Sequence, residues 1–386
     1  MKLVIVVVFP VFLLLTGCWS SHELTEQGFV QGIAIDQGQK GKIKLTTQIY
    51  KPTNSGGDSS SSQGQKSQQY INIQTQNISI EGTIHDIPSA VGRNAHFSQM
   101  RIIIIGEKLA KKRDIREIIG YFVRHNESRL TSQIVIAQGE ASDYLKVQPV
   151  IESTASQHLR ELQKSTSDSS SETMDMNLLQ LAVQVKSEVN DAMVPFTYFK
   201  KKGPKKHIAL GIALLKNGKV VRILSSKEAE PLLLLGNKYQ KGVLTIPCKK
   251  NNEKVNSFEV SRLQTEVTPK ITGNALIINV STKVEGSASE IVCASLETRK
   301  EYDDFQKHVK NKVETKLQQA IKLLQEEKVD AIGIGNIIYR KNPALWKQKW
   351  KTNWGNHFAK SKFTTNVDVK ILEKGNYGNK PFSVNE

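Results

Sequence analysis

Arg101-Ile102-Ile103-Ile104-Ile105-Gly106 places four consecutive isoleucines between an arginine and a glycine. Successive side chains of a strand point to opposite faces. An unbroken β-branched run of this length therefore reads as a strand buried on both faces, ended by Gly106. The segments around it read as mixed α/β. Val30–Asp36 and Lys42–Tyr50 are strand candidates joined through Gly38 and Gly41, and Gln69–Gln76 alternates Ile71 and Ile73 with Asn72 and Gln74 at the strand period. Ser79 can cap a helix that keeps Ile80, Ile84, Ile87 and Val91 on one face. A helix over Asp114–Phe122, a strand over Thr131–Ala137 and a helix over Asp175–Val189 follow.

Two polar stretches punctuate this region. Residues 52–69, rich in Ser, Gly and Gln, have almost nothing to bury and read as a flexible loop between two strands. The stretch Lys164–Glu172, extended to 177, reads as an exposed exit linker from a first domain.

Beyond it, Ile208–Lys216, Asn217-Gly218 and Lys219–Leu224 form a hairpin signal, because Asn-Gly accepts the positive φ of a type I′ turn. A short helix over Glu228–Leu235 and a strand over Val243–Pro247 complete that unit. Long strands are expected over Val255–Thr268 and Ala275–Val284, turning at Thr272-Gly273-Asn274. Thr298 and Glu301 have capping-box spacing. Behind them the helix Glu301–Lys328 carries Phe305, Val309, Val313, Leu317, Ile321 and Leu324 as one apolar stripe. After the Gly333-Ile334-Gly335 turn, Pro343 can open a helix bearing Trp346, Trp350 and Trp354, which reads as half-buried core, and Phe363–Glu373 closes as an edge strand.

The N-terminus adds an address. Lys2, an apolar run from Leu3 to Leu15 and the small pair Thr16-Gly17 form a secretory signal peptide over residues 1–17. Cys18 directly after the cut is the mark of a bacterial lipoprotein, lipidated and left as the new N-terminus. The run is shorter than the roughly 20 residues a spanning helix needs. What remains is too long for one core. The expected division is α+β (mixed α/β) in three distinct domains, each a small sheet packed with helices: residues 18–193, a basic middle unit at 194–254, and 255–386. Cys248 and Cys293 are left to pair or to stand as separate thiols, and the sequence leaves both readings open.

The net charge of +17 is unevenly placed. Residues 194–254 hold 14 Lys and Arg against 3 Asp and Glu, whereas residues 1–193 are balanced. Export argues against nucleic acid as the partner. The candidate contact residues are Lys200, Lys201, Lys202, Lys205 and Lys206, read either as facing an anionic membrane or acidic partner surface, or as a solvated basic loop. Catalytic chemistry finds no footing. The histidines never fall at His-x-x-x-His, and no Gly-x-Ser-x-Gly elbow or Walker loop occurs. Gly333-x-Gly335 meets Ile338 where a dinucleotide site needs its third glycine. His85-Asp86 and Glu127 read as surface polar groups. No catalytic residue, metal site or cofactor is expected.

Ordered motifs carry a resemblance across nearly the whole mature chain. Gly17-Cys18-Trp19, Glu23-Leu24 and Gly32-Ile33-Ala34-Ile35-Asp36 open it. Gly82-Thr83, His96, Ile103-Ile104-Ile105-Gly106-Glu107, Arg124, Glu127 and Arg129 continue it. Asp330, Gly333, Gly335, Pro343, Trp346, Trp354, Phe358, Val369-Lys370-Ile371 and Gly375 close it. In this the chain resembles the Ger(x)C family, the lipoprotein C subunits of germinant receptors in endospore-forming bacteria. Ser20 and His22 stand where that family often has Asp and Arg, and Ile332 where an aromatic is usual. The resemblance implies three α/β domains, no enzymatic activity, and a membrane anchor through diacylglyceryl-Cys18 on the outer face of the spore inner membrane. It also implies two integral membrane partners, the A and B receptor subunits. A solute-binding lipoprotein of an importer is the alternative, and would show two doubly wound lobes.

Overall fold

The computed structural model describes residues 24–51, 69–200, 208–248, 253–273, 275–294 and 296–372. Among these the strands form two sheets. The first contains β1 (Gln27–Gln37), β2 (Ile43–Tyr50), β3 (Tyr70–Asn77), β4 (Asn94–His96), β5 (Ile102–Gly106), β6 (Gln133–Ala137), β7 (Ala192–Phe199), β8 (Ile208–Lys216) and β9 (Lys219–Ser225). Its order is β3-β2-β1-β5-β6-β7-β8-β9, with β4 paired to β1. The centre is parallel and both flanks are antiparallel. The isoleucine run is β5, in the middle and buried on both faces, as its sequence demands.

Helices cover both faces of this sheet. On one, α1 (Ile80–His85), α2 (Ile87–Val91), α3 (Glu107–Lys112) and α4 (Arg116–Arg124) pack over Ile33, Ile103 and Ile134. On the other, the 3₁₀ turn Ala141–Lys146 and α5 (Ala155–Ser169) cover Ala34, Ile104 and Val135. The single helix expected after Ser79 is two. Pro88 brings no amide to a continuing ladder, and the chain breaks at Asp86 between them.

Residues 164–177 are not an exposed linker. The helix α5 runs on to Ser169, and Ser167, Ser171 and Thr173 are buried beside Met174 and Met176. Burial succeeds because the hydroxyls are paired: Ser171 Oγ donates to the Lys241 carbonyl at 2.7 Å and accepts from the Gln240 amide at 2.8 Å, while Thr173 Oγ1 donates to the Gly211 carbonyl at 2.9 Å. The helix α6 (Leu178–Val185) then leads into β7.

Among its described residues the segment 194–254 has no sheet of its own. Its first three strands extend the first sheet, through two β6–β7 rungs and then the β8–β9 hairpin. Asn217 and Gly218 take φ of 50° and 76°, the turn expected of them. Its helix α7 (Ser226–Leu235) packs against β8, β9 and the long helix that follows. Its last strand, β10 (Gly242–Pro247), belongs to the second sheet.

That sheet runs β10-β11-β12-β13, with β11 (Val255–Thr272), β12 (Ala275–Glu290) and β13 (Lys362–Ile371). The hairpin β11–β12 is antiparallel, and β13 joins β12 in parallel at the edge. The helix α8 (Arg299–Glu327) lies across it. Thr298 and Glu301 make the capping box, and all six expected stripe residues are buried. The helices α9 (Ile334–Lys341) and α10 (Trp354–Ala359) follow, separated by Pro343–Leu345 and a π turn, Trp346–Trp350. Trp346, Trp350 and Trp354 are buried fully rather than by half. One apolar cluster runs through both sheets without a break.

Cys248 and Cys293 pair in a disulfide, with Cα atoms 5.9 Å apart. It fastens the chain after β10 to the chain after β12.

Candidate functional site

Of the sequence-predicted contact residues, Lys200 is exposed directly after β7. Lys201, Lys202, Lys205, Lys206 and the lipidation candidate Cys18 lie outside the described residues. His85, Asp86 and Glu127 do not converge. His85 sits 3.4 Å from Glu81 on the same helix, Asp86 accepts from Asn77, and Glu127 lies 3.2 Å from His96. Among the described residues no group of three or more His, Cys, Asp or Glu could hold a metal ion. None of their helices is long and apolar enough to cross a membrane.

What the structure brings together instead is a buried carboxylate centre where the two sheets meet. Asp330 is only 1% exposed. Its Oδ1 accepts from the Ile334 amide at 2.9 Å, and its Oδ2 from the Gly335 amide at 2.7 Å and Trp354 Nε1 at 3.0 Å. The first two donors open α9, whose orphan amides the carboxylate satisfies as a cap would. The Asp330 amide in turn donates to Asp191 Oδ2 at 2.8 Å, and Asp191 immediately precedes β7. Burial pushes Asp330 up to about 7 and Asp191 up to about 6, against the hydrogen bonds that favour their charged forms.

The same joint is closed on its flank. Asn336 Oδ1 accepts from the Val189 amide, and its Nδ2 donates to Ser187 Oγ. Glu188 accepts from Trp346 Nε1 at 3.1 Å and pairs with Lys351 at 3.0 Å; the Lys351 contact holds its carboxyl below the usual range. Gly335 is required by contact, since a Cβ there would stand 2.5 Å from Trp346 and 2.6 Å from Val189. The connector 187–191 is thereby clamped by residues 330–354 from the other end of the chain.

A second buried carboxylate does similar work inside the first sheet. Asp36, at the end of β1, accepts from the Ala141 amide at 2.6 Å and the Ser142 amide at 3.0 Å, with the Lys44–Glu140 pair beside it. Burial raises it as well. It fixes the start of the 3₁₀ turn to the sheet.

Asp330, Gly333, Gly335, Trp346 and Trp354 were visible in the sequence as spaced residues, and the structure makes them one network. Asp36 stands in the motif Gly32-Ile33-Ala34-Ile35-Asp36, which names the residue and not its role, whereas Asp191 offers only a carboxylate beside a strand, which is common. All these carboxylates accept from fixed backbone or indole donors inside a packed core. The arrangement holds elements in place and offers no reacting atom to solvent. It defines a protein of mixed α/β fold, in which two sheets share one core among the described residues.

Comparisons with known proteins agree. The family profile described as "Spore germination protein N-terminal domain" matches residues 20–197, and that described as "Spore germination B3/ GerAC like, C-terminal" matches residues 210–375. The chain belongs to this GerAC-like family of spore germination proteins, the C-type subunits of germinant receptors. It is 25% identical to spore germination protein B3 of Bacillus subtilis (strain 168), over 96% of this chain and 98% of that one. It is 25% identical to spore germination protein A3 of the same organism, over 98% and 99%, and to spore germination protein KC, over 90% and 89%. The crystal structure of the GerBC protein superposes with a TM-score of 0.57 over 92% of this chain and all of that one, at 21% identity, and so shares its fold. The doubly wound lobes of an importer's binding protein are not what the second sheet presents: its strands are mostly antiparallel, and α8, α9 and α10 all fall between its third and fourth strands.

Proposed function

We propose that this chain is the lipid-anchored, non-enzymatic subunit of a receptor for nutrient germinants. Cys18 carries the anchor, on the outer face of the spore inner membrane, and two integral membrane subunits, A and B, are its partners. The observation that carries this reading is the export segment ending in Leu15-Thr16-Gly17-Cys18 at the head of a spore germination chain. The Cys248–Cys293 disulfide supports it, because such bonds persist in oxidising compartments outside the cytoplasm. In this reading the Lys200–Lys206 segment faces lipid headgroups or an acidic subunit surface.

The test is genetic and biochemical. Spores lacking the gene should lose the response to at least one nutrient in a panel, and a normal response to all would sink the receptor role. A Cys18→Ala chain should be exported but absent from the membrane fraction. Normal germination with that variant would make the tether dispensable. Reversing Lys200–Lys206 to Glu should lower receptor assembly, and unchanged assembly would remove the segment from the mechanism.

A further inference from the structure

The two most exposed large apolar side chains among the described residues are sequence neighbours: Val150 is 82% and Ile151 89% exposed. They follow Pro149 in the loop between the 3₁₀ turn Ala141–Lys146 and α5. Single exposed hydrophobes are ordinary, but two at one loop tip mark a surface that meets something apolar.

The root of this loop is firmly held. The Leu145 carbonyl accepts from Asn72 Nδ2 at 2.8 Å and Gln48 Nε2 at 3.0 Å, and the Val147 carbonyl from the Tyr70 hydroxyl at 3.5 Å. Tyr70 pairs with Tyr50, and Ile49 with Val30, so the root stands beside the first rungs of β1. That is the strand into which the N-terminal segment leads. Nine residue steps separate Cys18 from Gln27, which span about 30 Å at most. A bilayer holding Cys18 is therefore within reach of this end of the sheet.

The chemistry behind the tip suits the same surface. A cleft of about 750 Å³ lies next to it, lined by Lys146, Val150, His158, Phe199 and Ile208 among others. Lys146 is exposed and paired with Asp143 at 2.8 Å, and exposed Lys200 directly follows Phe199. The cleft also holds Asp143, and Glu152 follows Ile151, so the groups behind the apolar tip are of mixed charge, as suits the zwitterionic and anionic headgroup layer above the acyl chains.

We infer that the 147–151 loop is a second membrane contact, with Val150 and Ile151 entering the interfacial layer of the bilayer that anchors Cys18. This rests on the lipid-anchor reading given above. The tether keeps the tip at high local concentration near lipid, so a contact of low intrinsic affinity is enough.

Photo-crosslinking of the full chain in its native membrane tests it. With p-benzoylphenylalanine at Ile151, irradiation should yield a phospholipid adduct on the acylated chain, detected by mass spectrometry. The same probe at exposed Val183 of α6, which packs on the other face of the sheet, should yield at least fivefold less. A protein adduct at 151, no adduct, or equal lipid yields at 151 and 183 on an acylated chain would overturn the loop contact alone. A chain found unacylated at Cys18 would overturn the anchor reading and this inference with it.

Discussion

Replacing Asp330 by Asn tests whether burial or hydrogen bonding dominates at the joint between the sheets. The native carboxyl is raised from 3.8 to about 7, and burial is the largest cause. Between these values the native state holds a proton that the unfolded state has released. Stability from this group is therefore full below about pH 3.8, declines as pH rises, and is gone above about pH 7. A shift of about three units corresponds to about 4 kcal/mol at 1.36 kcal/mol per unit. Asp330→Asn cannot titrate, so it escapes that decline. It has its own cost: one oxygen must replace two, and the Ile334 or Gly335 amide then faces an NH₂ group, a loss of about 1–3 kcal/mol. The fixed cost cancels when two pH values are compared. From pH 5 to pH 7 the variant should gain about 2 kcal/mol on the natural chain, the Asp191 charge being a smaller cause of the Asp330 shift than burial. Urea unfolding with the disulfide intact, followed by tryptophan fluorescence, reads this directly, because Trp346 and Trp354 are buried at the joint. If the difference between the two chains is the same at both pH values, the reasoning fails, and Asp330 is held ionised by its three N–H donors.

Three further perturbations probe the same frame. Gly335→Ala drives a methyl into Trp346 and Val189 and should cost about 1–3 kcal/mol in urea unfolding, with Trp fluorescence altered in the native state; an unchanged midpoint would mean the joint is loosely packed. Cys293→Ser opens a loop whose ends are 45 residues apart, worth about 4 kcal/mol on chain-entropy grounds, so the melting temperature should fall by several degrees and stop responding to reductant. Thr298→Ala removes the acceptor at 3.2 Å for the Glu301 amide and should cost about 0.5–2 kcal/mol, read from the urea midpoint; no loss would show that α8 is set by its buried stripe alone.

The parts of this fold that were legible in the sequence are those where one local signal suffices. Four isoleucines in a row admit only a doubly covered strand, Asn217-Gly218 admits a type I′ turn, and the Thr298–Glu301 box with its 3.6-residue stripe admits only an amphipathic helix. The illegible parts depend on partners far along the chain. Ser171 and Thr173 read as exposed because they are polar, yet carbonyls near residues 211 and 241 make their burial tolerable. Residues 194–254 read as a separate basic unit, because charge counts say nothing about which strand edge a segment will join. Asp191 and Asp330 are 139 positions apart, and no periodicity connects them. The disulfide was undecidable for the same reason, since pairing requires Cα atoms within about 7 Å and spacing alone does not report that.

The position of β13 sets the order in which this molecule can be finished. The first sheet has all its strands once residue 225 has been made, but the second lacks its edge until residue 371. At roughly 5–20 residues per second, synthesis separates those two moments by about 7–30 s. Once made, the stripe on α8 lacks Val367, Val369 and Ile371 until β13 follows, and Asp191 waits for the Asp330 amide. A growing chain of this kind is most open to aggregation or proteolysis just before β13 arrives, so a chain lacking the ten residues of β13 should be cleared rapidly although most of the protein is present.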